Sequence, residues 1–231
     1  MSELEGSAVA VAHELKTPLV LLRQLTLALE RSDDISEQSE IIKRLRFTSE
    51  RSLRLVDSLT KTARLEDALF EFEPVQMNNL CMSVVDELSP LAQAHEQNLK
   101  LRLTRQPLVA VGNRDLLNSL LTGMIDNAIQ HNPAGARVEV ASRLHGGEAV
   151  VSVRDFGSTI DLSDFRALKE SIGKRALPIS ARPLSSGLGL FIASQFLTAM
   201  DGRLSIERHY SGGMTFSAHV PLSRQLSLLE V

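Results

Sequence analysis

Apolar residues near the N-terminus follow the spacing of two amphipathic helices. In the first helix, positions at alternating steps of four and three residues are Ala8, Ala12, Leu15, Leu19, Leu22, Thr26 and Leu29. After the polar segment RSDDISE, the same spacing resumes at Ile42, Leu45, Ser49, Ser52, Val56, Leu59 and Ala63. This periodicity predicts two helices with a coiled-coil-type seam. The short polar residues between them favour a turn and a helix cap.

The apolar stripes of these two helices are wider than a two-helix seam requires. The residues that widen them are Leu21, Leu25, Ile41, Leu53 and Leu55. Because two helices cannot shield stripes of this width, a hairpin of this kind buries the surplus face against a second copy. We therefore predict a homodimer in which two hairpins form a four-helix bundle.

The helical spacing ends at FEFEPVQ, residues 70–76, which contain a proline. We place the domain boundary there, with residues 1–70 forming the hairpin and residues 75–231 forming a second domain. Helical patterns in the second domain cover 77–98, 114–132 and 189–200, and strand patterns cover 99–104, 136–144, 148–156, 203–210 and 214–222. This mixture predicts an α/β sandwich, with a mostly antiparallel sheet covered by helices on one face.

Composition narrows the classes of function that this chain can have. The 231 residues carry a net charge of −3 and include one cysteine, Cys81, within an apolar helical pattern. A mildly acidic chain has no basic footprint for nucleic acid. A single cysteine forms no intramolecular disulfide, so we predict a packed thiol and a cytoplasmic, reducing setting. No apolar run reaches membrane-spanning length, and we expect no direct membrane insertion of this chain.

The first candidate for chemistry is the segment VAHELKTPLVLL, residues 11–22. An imidazole such as that of His13 is a nucleophile near neutral pH. The adjacent Glu14 could accept the proton of the other ring nitrogen. Pro18 lacks the N–H that would bond the carbonyl of Glu14, so we expect the helix to bend there. The competing interpretation of the same residues is an exposed His-Glu pair on a solvated helix.

The seven residues HELKTPL resemble the phospho-acceptor motif of bacterial sensor histidine kinases, His-Glu-hydrophobic-Arg/Lys/Asn-Thr-Pro-Leu, at every position. The resemblance implies that His13 takes the γ-phosphoryl group of ATP and passes it to an aspartate of a response-regulator receiver domain. It also implies that Glu14 is the base. Thr17 matches the position that orients a water for dephosphorylating the regulator, so a phosphatase activity is implied as well.

Stretches of the second domain resemble the ATP-binding boxes of the same family, which shares its fold with gyrase, Hsp90 and MutL ATPases. In LLTGMIDNAIQHNP, the resemblance implies that Asn127 binds Mg²⁺, a cation that prefers oxygen ligands and bridges phosphates, and that His131 lies near the nucleotide. In VSVRDFGSTID, Asp155 would accept the adenine amino proton. Gly157 would let the backbone pass close to the base.

The last box is SSGLGLFIASQFL, where glycines open a helix. Free N–H groups at a helix start bind phosphate oxygens, and the resemblance implies this role for Gly187, Leu188 and Gly189. The basic and Ser-rich segment from Leu162 to Ser186, with Phe165 as an anchor, is predicted to be an irregular, mobile cover over the phosphates.

Gln130 stands where the family often has Lys or Arg near the phosphates. Three further residues also depart from the family pattern: Gly123, Thr159 and Ser185. They leave open an alternative, a degenerate binding module or phosphatase-biased scaffold with weak use of ATP. A conformational ATPase like Hsp90 or MutL shares only the second domain, and the acceptor motif on the preceding hairpin disfavours it. The short stretch before His13 suggests either the excised cytoplasmic part of a membrane-bound sensor or a short soluble kinase.

Overall fold

The computed structural model describes residues 2–65, 70–172 and 188–223. The chain divides into two compact units, Met1–Ala63 and Arg64–Val231. The division lies before the boundary predicted at residues 70–76, because the second helix ends at Arg64. The functions assigned to the two predicted domains stay predictions at this point.

Two long helices make up the first unit, α1 (Ser2–Arg31) and α2 (Ile35–Arg64). The polar segment between them forms the predicted turn. Asp34 caps the N-terminus of α2, because its Oδ1 accepts the N–H of Ser36 at 2.7 Å. The hydroxyl of Ser32 donates to Oε2 of Glu37 at 2.6 Å across the turn. Pro18 lies inside the continuous helix α1, and the bend expected there stays a prediction.

Most of the apolar seam of the first unit is uncovered in the single chain. Among its described side chains, only Leu25 and Ile41 are buried hydrophobic residues. Leu19 is 60% exposed and Leu53 is 67% exposed. The other exposed large apolar residues are Val20, Leu21, Leu27, Ile35, Ile42 and Val56. Large exposed apolar side chains on one unit are compatible with the association that the sequence predicts, and that association stays a prediction.

The second unit contains four helices and seven strands within the described residues. In chain order they are β1 (Glu73–Gln76), α3 (Met77–Ala94), β2 (Asn98–Arg102), β3 (Val109–Gly112), α4 (Arg114–His131), β4 (Arg137–His145), β5 (Glu148–Arg154), α5 (Leu162–Ser171), α6 (Leu188–Ala199), β6 (Arg203–Arg208) and β7 (Met214–Pro221). None of the helices in the described part of the chain is long and apolar enough to cross a membrane.

Five strands form the main sheet, in the order β2-β4-β5-β7-β6. Only β2 and β4 are parallel, so the sheet is mostly antiparallel, as the sequence predicts. Helices α3, α4 and α6 contact its strands. The fully buried core between these layers includes Val151, Phe196 and Phe216. The α/β architecture predicted for the second domain is therefore confirmed.

Two features of the second unit differ from the sequence-based prediction. The segment that was expected only to break the helical pattern contains β1, which pairs antiparallel with β3. The expected irregular cover begins instead with helix α5, since Leu162, Phe165 and Leu168 recur at helical spacing and Leu168 is buried. The remainder of that cover, residues 173–187, lies outside the described residues.

The sheet face away from the helices carries a polar cluster. His219 donates or accepts at both ring nitrogens, 3.0 Å from Oε2 of Glu148 and 2.9 Å from the hydroxyl of Ser205. Arg203 pairs with the same carboxylate oxygen at 2.7 Å. Burial lowers the pKa of His219 below its ordinary value. Burial acts to raise the pKa of Glu148, but the bonds from Arg203 and His219 outweigh it and the pKa is lowered.

Cys81 lies on α3 and is fully buried. Burial raises the pKa of its thiol to about 12, because a thiolate would lose its hydration. The prediction of a packed thiol is confirmed.

Candidate active site

Helix α4 places Asn127 beside the core of the second unit. The helix begins at a cap in which Oδ1 of Asn113 accepts the N–H groups of Asp115 and Leu116, both at 3.1 Å. Its inner face is apolar and buried, at Leu116, Leu117, Leu120, Leu121, Met124, Ile125, Ala128 and Ile129. Asn127 is half-buried, and its carboxamide bonds to no other described residue.

Asp155 follows β5 and is completely buried. Its Oδ1 accepts the N–H of Gly157 at 3.1 Å and the N–H of Met214 at 3.3 Å. The N–H of Asp155 in turn donates to the carbonyl of Met214 at 3.0 Å. A carboxylate that accepts backbone N–H groups from two segments has a fixed orientation.

Glycines allow three backbone segments to meet around Asp155. A Cβ on Gly157 would lie 2.5 Å from the carbonyl oxygen of His131, and one on Gly213 would lie 2.0 Å from that of Asp155. A Cβ on Gly212 would lie 2.9 Å from the carbonyl oxygen of Gly157. Gly157 thus admits the end of α4, whereas the sequence predicted that it admits a nucleotide base. The contact with a base stays a prediction.

Asn132 joins the end of α4 to the loop that carries Asp155. Its Oδ1 accepts the N–H of Phe156 at 2.8 Å, and its Nδ2 donates to the carbonyl of Arg137 at 2.8 Å. Sequence reasoning did not single out this residue. The sequence did contain one signal for it. Asn132 directly precedes Pro133, so the helix has to end there, and a side-chain amide at a helix end can bond backbone groups that the helix leaves without partners. Asn132 brings the Asn127 helix and the Asp155 loop together.

The remaining predicted residues of this unit lie at its helix ends. His131 is the last residue of α4 and is half-buried. Leu188 and Gly189 begin α6, which packs against α4. Gly187 lies outside the described residues. The departures Gly123 and Thr159 are both exposed, and a Cβ on Gly123 would have no neighbour within 4 Å.

His13, Glu14 and Thr17 all lie on α1, in the first unit. The side chain of His13 lies outside what the structure describes. Glu14 is half-buried and Thr17 is exposed. A four-residue separation on a helix places His13 and Thr17 on the same face, one turn apart. The structure therefore keeps the acceptor segment and the candidate nucleotide site in separate compact units.

The chain is similar in sequence and in fold to known proteins. The profile of the family described as "Histidine kinase-, DNA gyrase B-, and HSP90-like ATPase" matches residues 112–224. Sensor protein SphS of Synechococcus elongatus is 33% identical over 228 residues, covering 94% of this chain and 54% of that protein. Sensor protein CutS of Streptomyces coelicolor is 30% identical over 214 residues, covering 91% of this chain and 51% of that protein.

Solved structures show the same fold. The Acinetobacter baumannii histidine kinase AdeS superposes with a TM-score of 0.63 at 20% identity, covering 92% of this chain and 98% of that chain. The catalytic domain of histidine kinase ThkA has a TM-score of 0.55 at 21% identity, covering 66% of this chain and 96% of that chain. The chain spans about half the length of the curated relatives named above. Together with the motifs and the fold, these matches support a bacterial sensor histidine kinase.

Proposed function

We propose that this chain is an ATP-dependent protein histidine kinase that phosphorylates its own His13 and passes the phosphoryl group to a response regulator. The observation that carries the proposal is the fixed, buried carboxylate of Asp155 joined to the end of the Asn127 helix. This pairing offers one group for an adenine amino proton and one for the phosphate end of a nucleotide. The complete acceptor motif on α1 supplies the nucleophile.

The proposed chemistry is a phosphoryl transfer in two steps. A ring nitrogen of His13 attacks the γ-phosphorus of ATP, the bond from that phosphorus to the bridging oxygen breaks, and ADP leaves. Glu14 accepts the proton from the other ring nitrogen, which keeps the attacking nitrogen basic. In the second step, a carboxylate of the receiver domain attacks the phosphorus and the N–P bond breaks. Positioning and electrostatic stabilisation account for most of such a catalysis.

The residues at the candidate site fit a magnesium–nucleotide complex. A carboxamide oxygen such as that of Asn127 is a ligand type that Mg²⁺ accepts. Within the described residues there is no group of three or more His, Cys, Asp or Glu side chains that could hold a metal ion. A cation here would therefore take most of its ligands from the nucleotide and water, as Mg²⁺ commonly does. When bound, it would neutralise charge that develops on the phosphates.

Nucleotide binding is the most direct test of the proposal. We expect calorimetric titration of the chain with Mg-ATP to show one saturable site. We expect Asp155→Asn to weaken binding roughly tenfold or more, because the charge-assisted hydrogen bond is lost and the NH₂ group of asparagine then faces the adenine amine, donor against donor. The substitution keeps an oxygen for the N–H groups of Gly157 and Met214, so the fold should persist. Glu148→Gln, on the other face of the sheet, is the control.

A wild-type chain that binds no Mg-ATP would favour the alternative, a degenerate binding module or phosphatase-biased scaffold. Gly123, Thr159 and Ser185 motivate that alternative, since each replaces a residue that the family usually has. The exposed Thr17 on α1 is compatible with it, because a regulator phosphatase needs a group that orients a water there. We assign either activity to the cytoplasm, where a receiver domain is accessible and the single cysteine stays reduced.

We also propose that the active form is a homodimer through the first unit. Its support is the apolar seam that the single chain leaves exposed, including Leu19, Ile42 and Val56. A second copy would bury these side chains in a four-helix bundle.

Sedimentation equilibrium should show a dimer for the wild type and a shift towards monomer for Ile42→Asp. Burying an unpaired carboxylate in the bundle should weaken association at least about tenfold. Arg44→Asp is the control, since Arg44 is exposed on α2 and, two residues after Ile42, lies on the opposite side of the helix from the seam. A strictly monomeric wild type, or equal effects of the two substitutions, would contradict the proposed interface.

A further inference from the structure

The side chain of Asn132 uses both of its polar atoms to connect backbone segments. Asn132 is 8% exposed, and it follows the last residue of α4. Its oxygen holds the N–H of Phe156, the residue directly after Asp155, and its nitrogen holds the carbonyl of Arg137, the first residue of β4. One side chain therefore sets the spacing of a helix end, a strand start and a loop.

Gln97 braces Asn132 from the turn between α3 and β2. Gln97 is 2% exposed, and its Nε2 donates to the carbonyls of Ile129 and Asn132 at 2.8 and 2.9 Å. The last carbonyls of a helix have no intrahelical donor, so this amide supplies a partner that the helix end lacks. The brace restricts the position of Asn132 relative to the body of α4.

The other end of the connection is also held. The ring of Phe156 lies between two guanidinium groups, 4.5 Å from that of Arg137 and 4.4 Å from that of Arg154. A guanidinium over the face of a ring attracts it electrostatically and helps to hold it in place. Phe156 is consequently fixed by its ring and by its N–H, and the adjacent Asp155 is fixed with it.

We propose that Asn132 is a positioning residue that fixes the Asp155 loop against the Asn127 helix and thereby sets the selectivity of the nucleotide site for adenine. The inference rests on the proposed ATP site. Asn127 lies on α4, and Asn132, five residues later, is the residue that follows the end of this helix. Asp155 directly precedes Phe156, whose N–H donates to Asn132. The phosphate end and the base end of the site therefore share Asn132 as their direct side-chain connection.

The test measures binding of three probes to the full chain: Mg-ATP, the magnesium complex of inosine triphosphate, and magnesium tripolyphosphate. Inosine lacks the exocyclic amine that Asp155 would recognise, and tripolyphosphate lacks a base. We expect Asn132→Ala to weaken ATP binding about tenfold, as expected from the loss of hydrogen bonds that hold the site. Tripolyphosphate binding should stay unchanged, because it does not depend on Asp155. Inosine triphosphate makes no bond to Asp155 either, so the ratio of ATP affinity to inosine triphosphate affinity should fall towards one.

Two further variants separate positioning from general destabilisation. Asn132→Ser supplies a hydroxyl that can accept the N–H of Phe156 in place of the amide oxygen, and it should recover part of the selectivity. Asn78→Ala is the matched control, because Asn78 also uses both polar atoms, donating to the carbonyl of Thr104 at 2.9 Å and accepting from Ser142 at 2.6 Å. Asn78→Ala should lower the melting temperature without changing the affinity ratio.

An Asn132→Ala variant with the wild-type affinity ratio would overturn this inference while leaving the ATP site intact. Equal loss of affinity for all three probes would overturn it too, since that result indicates general destabilisation. If Asn132→Ala does not fold, Asn132→Leu, which has the same number of side-chain heavy atoms but no hydrogen-bonding group, gives the same comparison. A wild-type chain that binds neither nucleotide would instead overturn the proposed function, and this inference with it.

Discussion

We expect the His13→Gln variant to incorporate no label from γ-labelled ATP while it binds Mg-ATP as tightly as the wild type. Glutamine approximates the shape of histidine but has no nucleophilic nitrogen, and removing a nucleophile costs at least about a thousandfold in rate. The nucleotide site lies in the other compact unit, so its affinity should not change. The label on the wild type should be acid-labile and base-stable, as a phosphoramidate is.

The matched control for this experiment is His145→Gln. His145 ends β4 at an exposed turn and has no proposed role. This control should retain full labelling, which would attribute the loss in His13→Gln to one imidazole. Label that persists on His13→Gln would contradict the acceptor assignment. Absence of label on a wild type that binds ATP would favour the phosphatase-biased alternative and direct attention to Glu14 and Thr17.

The sequence predicts the first unit well because its signals are local. The alternating steps of three and four residues define α1 and α2, and Asp34 supplies the cap that starts α2. Helix starts and apolar periodicity depend on neighbours within one or two turns. The same reason explains why α3, α4 and α6 and the β4–β5 and β6–β7 hairpins are predicted correctly.

What the sequence does not predict depends on contacts between distant segments. β1 and β3 are short strands whose pairing joins Glu73 to Gly112, far apart in the chain, so neither has a strong local pattern. The role of Asn132 is similar, because its partners are a loop and a strand start that only the fold brings near. Gly157 is recognisable as special from the sequence, but the atom that requires it, the carbonyl oxygen of His131, is visible only in the structure.

Gly213 is the position where the structure predicts the largest loss of stability for a small change. Its φ of +75° lies in the left-handed region, and an added Cβ would lie 2.0 Å from the carbonyl oxygen and 2.7 Å from the carbonyl carbon of Asp155. The atoms that this Cβ would meet belong to the backbone, so the contact cannot be relieved by the rotation of a neighbouring side chain. We expect Gly213→Ala to cost more than about 3 kcal/mol in the free energy of unfolding, from backbone strain and the displacement together.

The same substitution should abolish Mg-ATP binding, because the paired bonds between Asp155 and Met214 would separate as the loop moves. Gly147→Ala is the matched control. Gly147 has nearly the same φ, +79°, but a Cβ there meets nothing within 4 Å. It should cost about 1–2 kcal/mol from left-handed strain alone and leave nucleotide affinity unchanged. Chemical denaturation measures the free energy of unfolding, and calorimetry measures the nucleotide affinity.

Equal losses of stability in the two variants would show that strain, and not the contact with Asp155, makes Gly213 necessary. A stable Gly213→Ala variant that still binds Mg-ATP would show that the turn between β6 and β7 does not hold Asp155 in place.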